Sequence, residues 1–105
     1  EIAKQPDITA LVATADVLAA GIMAGLRKLG KKVPDDISIV GFDDIPLCSM
    51  VTPTLTTIHQ DIYLKGEYAV RFMLQKLEGK KPETTEVILP TYLVERESVR
   101  TIKAD

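Results

Sequence analysis

The chain has 105 residues, room for one domain and one hydrophobic core. Its 46% apolar and 27% charged residues are the composition of an ordinary globular domain, and no stretch reaches the ~20 apolar residues of a membrane span. The net charge is −2, with both signs spread along the chain, which excludes a nucleic-acid surface built by this segment alone, because phosphate binding needs a clustered Lys/Arg patch. The single cysteine, Cys48, excludes an internal disulfide and a multi-cysteine metal site, and fits a reducing compartment. The opening Glu1-Ile2-Ala3-Lys4 lacks the apolar segment of a signal peptide and begins in mid-element, so a fragment of something longer is expected.

Residues 9–14 (Thr-Ala-Leu-Val-Ala-Thr) form a small apolar run and predict a buried strand. Asp16 then offers a carboxylate at a helix N-cap position. Over 17–29, Leu18, Ile22, Leu26 and Leu29 recur at helical spacing. Gly30 supplies a left-handed residue after the helix, Lys31 and Lys32 suit its dipole, and Pro34 prevents resumption. An apolar run bounded by Pro34 and Gly41 predicts a strand over 37–42, buried on both faces, which completes a right-handed βαβ unit. Asp43 and Asp44 fall just past the carboxyl end of that strand, where ligands bind in open α/β sheets.

Residues 43–54 predict a loop, since Pro46 and Pro53 forbid regular ladder pairing. Leu47, Cys48, Met50 and Val51 make an apolar run inside it, which either tucks under its own domain or meets a partner. A short strand is predicted over 55–58. Asp61 caps a second helix running to about 78, with an apolar stripe of Ile62, Gly66, Ala69, Val70, Met73 and Leu77. Gly66 in that stripe is expected to permit close approach to a strand or a ligand. Gly79 and then Pro82 close the helix, residues 86–89 predict another strand, Pro90 breaks it, and 91–96 form a final extended segment. Strands alternating with helices give the α/β class, with βαβ layers on a parallel sheet.

No enzyme signature accompanies this fold. His59, the only histidine, has no cysteine or second histidine nearby for a metal, and no cofactor is expected. A dyad with Asp43 or Asp61 is conceivable, but a solvated or structural hydrogen-bonded role is the expectation for His59. Ser49, Thr56 and Thr57 lack a nucleophile elbow, and no phosphate-cradling glycine loop occurs.

Four blocks carry a resemblance: Ala-Thr-Ala-Asp (13–16), Val-Pro-Asp-Asp-Ile-Ser-Ile-Val-Gly-Phe-Asp-Asp (33–44), Pro-Thr-Leu-Thr-Thr-Ile (53–58) and Glu-Arg-Glu-Ser (95–98). Together they closely resemble the LacI/GalR family of bacterial transcription regulators, over nearly the whole chain. The resemblance implies the C-terminal part of an effector-binding core, a half domain of the periplasmic-binding-protein-like kind. Residues 1–54 and 91–105 would belong to the C-terminal subdomain, and 55–90 would cross to the N-terminal one. The 61–78 helix, deprived of that partner, would repack on this chain's own sheet or against another copy.

The resemblance also implies roles for single residues. Asp43 matches a family carboxylate that accepts hydrogen bonds from ligand hydroxyls. Its alternative role is to cap a turn. Asp44 is expected to face solvent or a neighbouring turn. Ala15 sits where many members place an amide or hydroxyl that contacts the effector, and alanine cannot make that bond. Ile62 and Tyr63 stand where the family places an apolar wall of the cleft, or are core residues. The loop residues Leu47, Met50 and Val51, with Ala19, Ile22 and Met23 on the outward flank of the first helix, would build a homodimer interface. The implied whole is a cytoplasmic, non-enzymatic regulator with no membrane contact. It would be switched by a small effector such as a sugar or sugar phosphate, and would reach operator DNA only through an N-terminal head outside this sequence. The competing readings are a periplasmic-type solute-binding or sensor domain and, with weaker grounds, a small hydrolase using Asp43, Asp44 and His59.

Overall fold

A computed structural model describes residues 1, 4–5, 7–81 and 86–103. The elements in chain order are β1 (Ala10–Val12), α1 (Asp16–Lys28), β2 (Ser38–Asp43), a 3-10 turn (Pro46–Ser49), β3 (Thr56–Gln60), α2 (Ile62–Leu77) and β4 (Thr91–Val94). The strands form one sheet in the order β1-β2-β3-β4. β1, β2 and β3 run parallel, whereas β4 returns antiparallel to β3, pairing Gln60 with Thr91 and Thr57 with Val94. The expected α/β architecture and the central place of β2 are therefore present, on a mixed rather than wholly parallel sheet.

The core lies between α1 and the sheet. It contains Ala19, Met23 and Leu26 of α1, Ile37 and Ile39 around β2, and Ala13, Cys48 and Leu55 from the connections. Two expectations about packing are corrected here. β1 is half open rather than buried, because Leu11 and Ala13 turn to the core while Val12 is 78% exposed. Leu18 and Leu29 face outward, and the buried stripe of α1 is Asp16, Ala19, Met23 and Leu26. Ala19 and Met23 are thus core residues, not an outward flank. β2, expected over 37–42, spans Ser38–Asp43, one residue further along the chain.

Gly41 is required where it stands. A Cβ there would overlap Asp16 Oδ1 and lie 3.0 Å from Leu55 Cδ2, so only glycine lets α1 and the Leu55 side chain come this close to the strand. Gly30 (φ +74) ends α1 as predicted, with the Lys31 amide donating back to Leu26 O at 2.9 Å. Beyond β4, Ser98 ties the lower ends of β2 and β3 together. Its hydroxyl accepts from the Thr56 amide at 2.8 Å and donates to Ile39 O at 2.5 Å.

α2 does not repack on the sheet. Asp61 caps it as predicted, accepting from the Leu64 amide at 2.8 Å, but no residue of the helix is buried. Val70, Met73, Leu74 and Leu77 are half or more exposed. The glycine at 66 meets nothing within 4 Å of a Cβ position, so the close approach expected there does not exist. Residues 86–89 are not a strand. They run alongside α2 and line a groove with Tyr68, Ala69 and Phe72. Without a neighbouring strand, an apolar run has no ladder to join. Pro82, expected to close α2, lies outside the described residues.

Candidate functional site

The carboxyl ends of β1, β2 and β3 and the start of β4 share one edge of the sheet, since Asp43 pairs with His59 and Gln60 with Thr91. This edge gathers Ala15, Asp43, Gln60 and Ile62. Asp43 ends β2 with φ +118, and Asp44 follows with φ +62. Both values lie where side chains rarely go, so surrounding contacts must hold them. Asp43 Oδ1 accepts from Gln60 Nε2 at 2.5 Å. Among the described residues no other side chain holds its carboxyl.

Asp44 does not face solvent as expected. Its side chain is 15% exposed, with Oδ1 accepting from Arg96 Nη2 at 2.8 Å and Oδ2 from His59 Nδ1 at 2.9 Å. Burial disfavours the charged form, but the hydrogen bonds and charges of Arg96 and His59 outweigh it and hold this carboxyl below the usual carboxylate range. The stabilisation from this cluster is complete above the ordinary value and is lost as pH falls through the lower folded one. An ionised carboxylate only accepts, so His59 Nδ1 carries the proton. His59 lies on β3, and its ring stacks on Tyr92 with centroids 4.6 Å apart. Its partner is Asp44, so neither Asp43 nor Asp61 forms the conceivable dyad. Arg96 also donates to Leu55 O at 3.0 Å, fixing the guanidinium from a second side.

Asp16 is a further correction. Ala15 is the N-cap of α1 and makes no side-chain cap bond, and the Asp16 carboxyl turns inward instead. It is fully buried, accepting from the Ile45 amide at 2.9 Å and from Thr57 Oγ1 at 2.5 Å. One carboxyl thereby clamps the loop leaving β2 and the middle of β3 to the start of α1. This clamp was missed because its partners lie 29 and 41 residues away. Only a charged residue at the head of an otherwise small, apolar stripe hinted at it.

Of the other predicted residues, Ala15 is half-buried, Ile62 is 47% exposed at the first turn of α2, and Tyr63 is 87% exposed. Neither Ile62 nor Tyr63 is a core residue. The apolar loop splits: Cys48 is buried, Val51 packs on the core, Leu47 is half-buried and Met50 is 77% exposed. Burial first, and then the neighbouring Asp16 carboxyl, push the Cys48 thiol up to about 12. Cys48 is therefore expected to resist iodoacetamide in the native protein at pH 8 and to react only after unfolding in urea. Mass spectrometry of the labelled protein checks this, and rapid native labelling would contradict the packing of the loop.

The sequence pattern of the periplasmic binding protein-like domain family matches residues 1–99. This chain belongs to that family. Within it, the chain is 43% identical over 95 residues to the ribose operon repressor of Halalkalibacterium halodurans, which covers 90% of this chain and 29% of that protein. Among solved structures, a LacI family transcriptional regulator from Enterococcus faecalis with bound ribose superposes with a TM-score of 0.87 at 35% identity, over 97% of this chain and 38% of that one. The lac repressor dimer bound to operator and an anti-inducer gives a TM-score of 0.76 at 36% identity, over 89% of this chain and 32% of that one. The resemblance to LacI-type regulators holds across the chain. This chain spans less than a third of the length of the curated relatives it matches. Among the described residues no helix is long and apolar enough to cross a membrane.

Proposed function

We propose that this chain is the C-terminal part of the effector-binding and dimerisation core of a LacI-family regulator, working in the cytoplasm and catalysing no reaction. The observation that carries it is Asp43, presented at the carboxyl edge of a central strand with Gln60 beside it. A carboxylate and an amide side by side offer two acceptors and a donor, a set suited to neighbouring hydroxyls of a sugar. The Halalkalibacterium halodurans relative named for ribose and the ribose-bound Enterococcus faecalis structure make D-ribose the first effector to test. Ile62 would give the cleft an apolar wall, and Ala15 would line it without bonding.

β3 is a full member of this sheet, so the proposed crossing to a second subdomain begins after Gln60 and covers 61–90. The exposed apolar residues of α2 support that placement, since no residue of the helix is buried against the sheet. The test is operator binding by the intact protein, followed by fluorescence anisotropy with and without ribose. A change of about tenfold or more in operator affinity is expected, the usual scale of such coupling. No response to ribose or to other pentoses and hexoses would sink the effector reading.

For the homodimer, the supporting surface is the depression of about 290 Å³ where α1 meets the loop, lined by the apolar Ala20, Met23, Ala24, Met50 and Val51 together with Arg27 and Thr52. Met50, Leu47 and Ile22 would make the contact, with Ala19, Met23 and Val51 beneath them. Met50→Glu is expected to shift the protein from dimer to monomer in sedimentation velocity at micromolar concentration. It places a charge in an apolar contact without touching the core. An unchanged dimer would remove this face from consideration.

A further inference from the structure

Two adjacent residues with positive φ at a strand exit need an anchor, and the two carboxylates are anchored unequally. Asp43 is held by one flexible amide, whereas Asp44 is held by two charge-assisted bonds from different parts of the fold. Arg96, just beyond β4, is itself fixed on Leu55 O, and His59, on β3, is fixed by stacking on Tyr92. Both donors therefore stand on the sheet, and Asp44 is where the loop is fastened to it. The Asp43 backbone is the link between that fastening and the strand.

We propose that Asp44, gripped by Arg96 and His59, is the positioning residue that keeps Asp43 in its strained, outward-presenting conformation for the effector. This deepens the reading of Asp43 as the effector carboxylate and rests on it. Asp44 touches no ligand in this scheme. It sets the fraction of molecules whose Asp43 is ready. If loss of the anchor leaves one molecule in ten competent, the apparent dissociation constant rises about tenfold with no ligand contact removed.

The experiment uses the intact protein and D-ribose, with calorimetry for affinity and amide exchange of peptides covering residues 42–46. Asp44→Asn, which keeps the shape and removes the charge, is expected to weaken ribose binding about tenfold and to speed exchange of those peptides. In an Asp43→Asn background the same change is expected to cost less than about twofold, because there is no longer a carboxylate to position. His59→Phe keeps a ring against Tyr92, removes one bond to Asp44, and is expected to give a smaller loss of the same kind if Asp44→Asn folds poorly. An equal loss in both backgrounds, or unchanged exchange over 42–46, overturns the proposal. If the parent protein binds no ribose, the ribose reading fails by itself. The exchange arm then decides the anchoring, with faster exchange supporting it and unchanged exchange overturning it.

Discussion

Asp16→Ala is expected to destabilise the protein by about 3 kcal/mol, read from urea denaturation at pH 7. The carboxyl satisfies two donors in places of different wetness. Thr57 is fully buried, so its hydroxyl would lose its acceptor with no water at hand, whereas Ile45 is half-buried and its amide can find solvent. An unsatisfied buried donor costs about 1–3 kcal/mol, toward the upper end for Thr57 and the lower for Ile45. Asp16→Asn should cost less, because its remaining oxygen can serve the Ile45 amide while its NH₂ faces the Thr57 hydroxyl, which can rotate. Gly41→Ala supplies the internal control. Its Cβ runs into Asp16 Oδ1, so the substitution should cost about 2 kcal/mol or more in the parent protein. In the Asp16→Ala background the obstructing atom is gone, and the cost should fall by about 1 kcal/mol or more. Strict additivity of the two substitutions would show that the close approach of α1 to β2 does not depend on this carboxyl.

The same residue shows why the sequence disclosed the fold better than its packing. The βαβ order is written in local signals: Gly30 after the helix, Pro34 beyond it, and the apolar run of β2 with carboxylates past its end. Each of these acts within a few residues of itself. The face of α1 that meets the sheet is decided elsewhere. Ranking by size favours Leu18, Ile22, Leu26 and Leu29, but the stripe actually buried begins with a charged residue and includes a small one, Asp16 and Ala19. That choice is made by Gly41, which lets the helix come close, and by donors on β3 and the loop, which make a buried carboxyl tolerable. α2 fails in the opposite sense. Its stripe is real, but among the described residues nothing buries it, so the periodicity gives a helix and no packing. In the site, Asp43 was legible because strand-end carboxylates have a positional meaning in open sheets. Gln60, Arg96 and Tyr92 were not, because their roles depend on register and on β4 turning back antiparallel.

Asp43→Ala is expected to lower affinity for a sugar effector by roughly 100-fold while leaving operator affinity without effector nearly unchanged. Two hydrogen bonds to a charged acceptor, at about 1.5 kcal/mol or more each, sum to about 3 kcal/mol, which is roughly that factor. Operator affinity should hold because the core around Leu55, Ile39 and Cys48 does not include the Asp43 side chain. Asp43→Gly separates presentation from contact. At φ +118 glycine is at ease where aspartate is strained, so this variant should be more stable than the parent by about 1 kcal/mol in urea denaturation. It should nonetheless bind effector as poorly as Asp43→Ala. A site residue whose removal raises stability and weakens binding this much is one whose conformation is kept for a ligand rather than for the fold. The opposite pattern, a less stable Asp43→Gly protein with effector response intact, would mean that Asp43 serves only to turn the chain out of β2. The contact to Gln60 would then be the whole of its work.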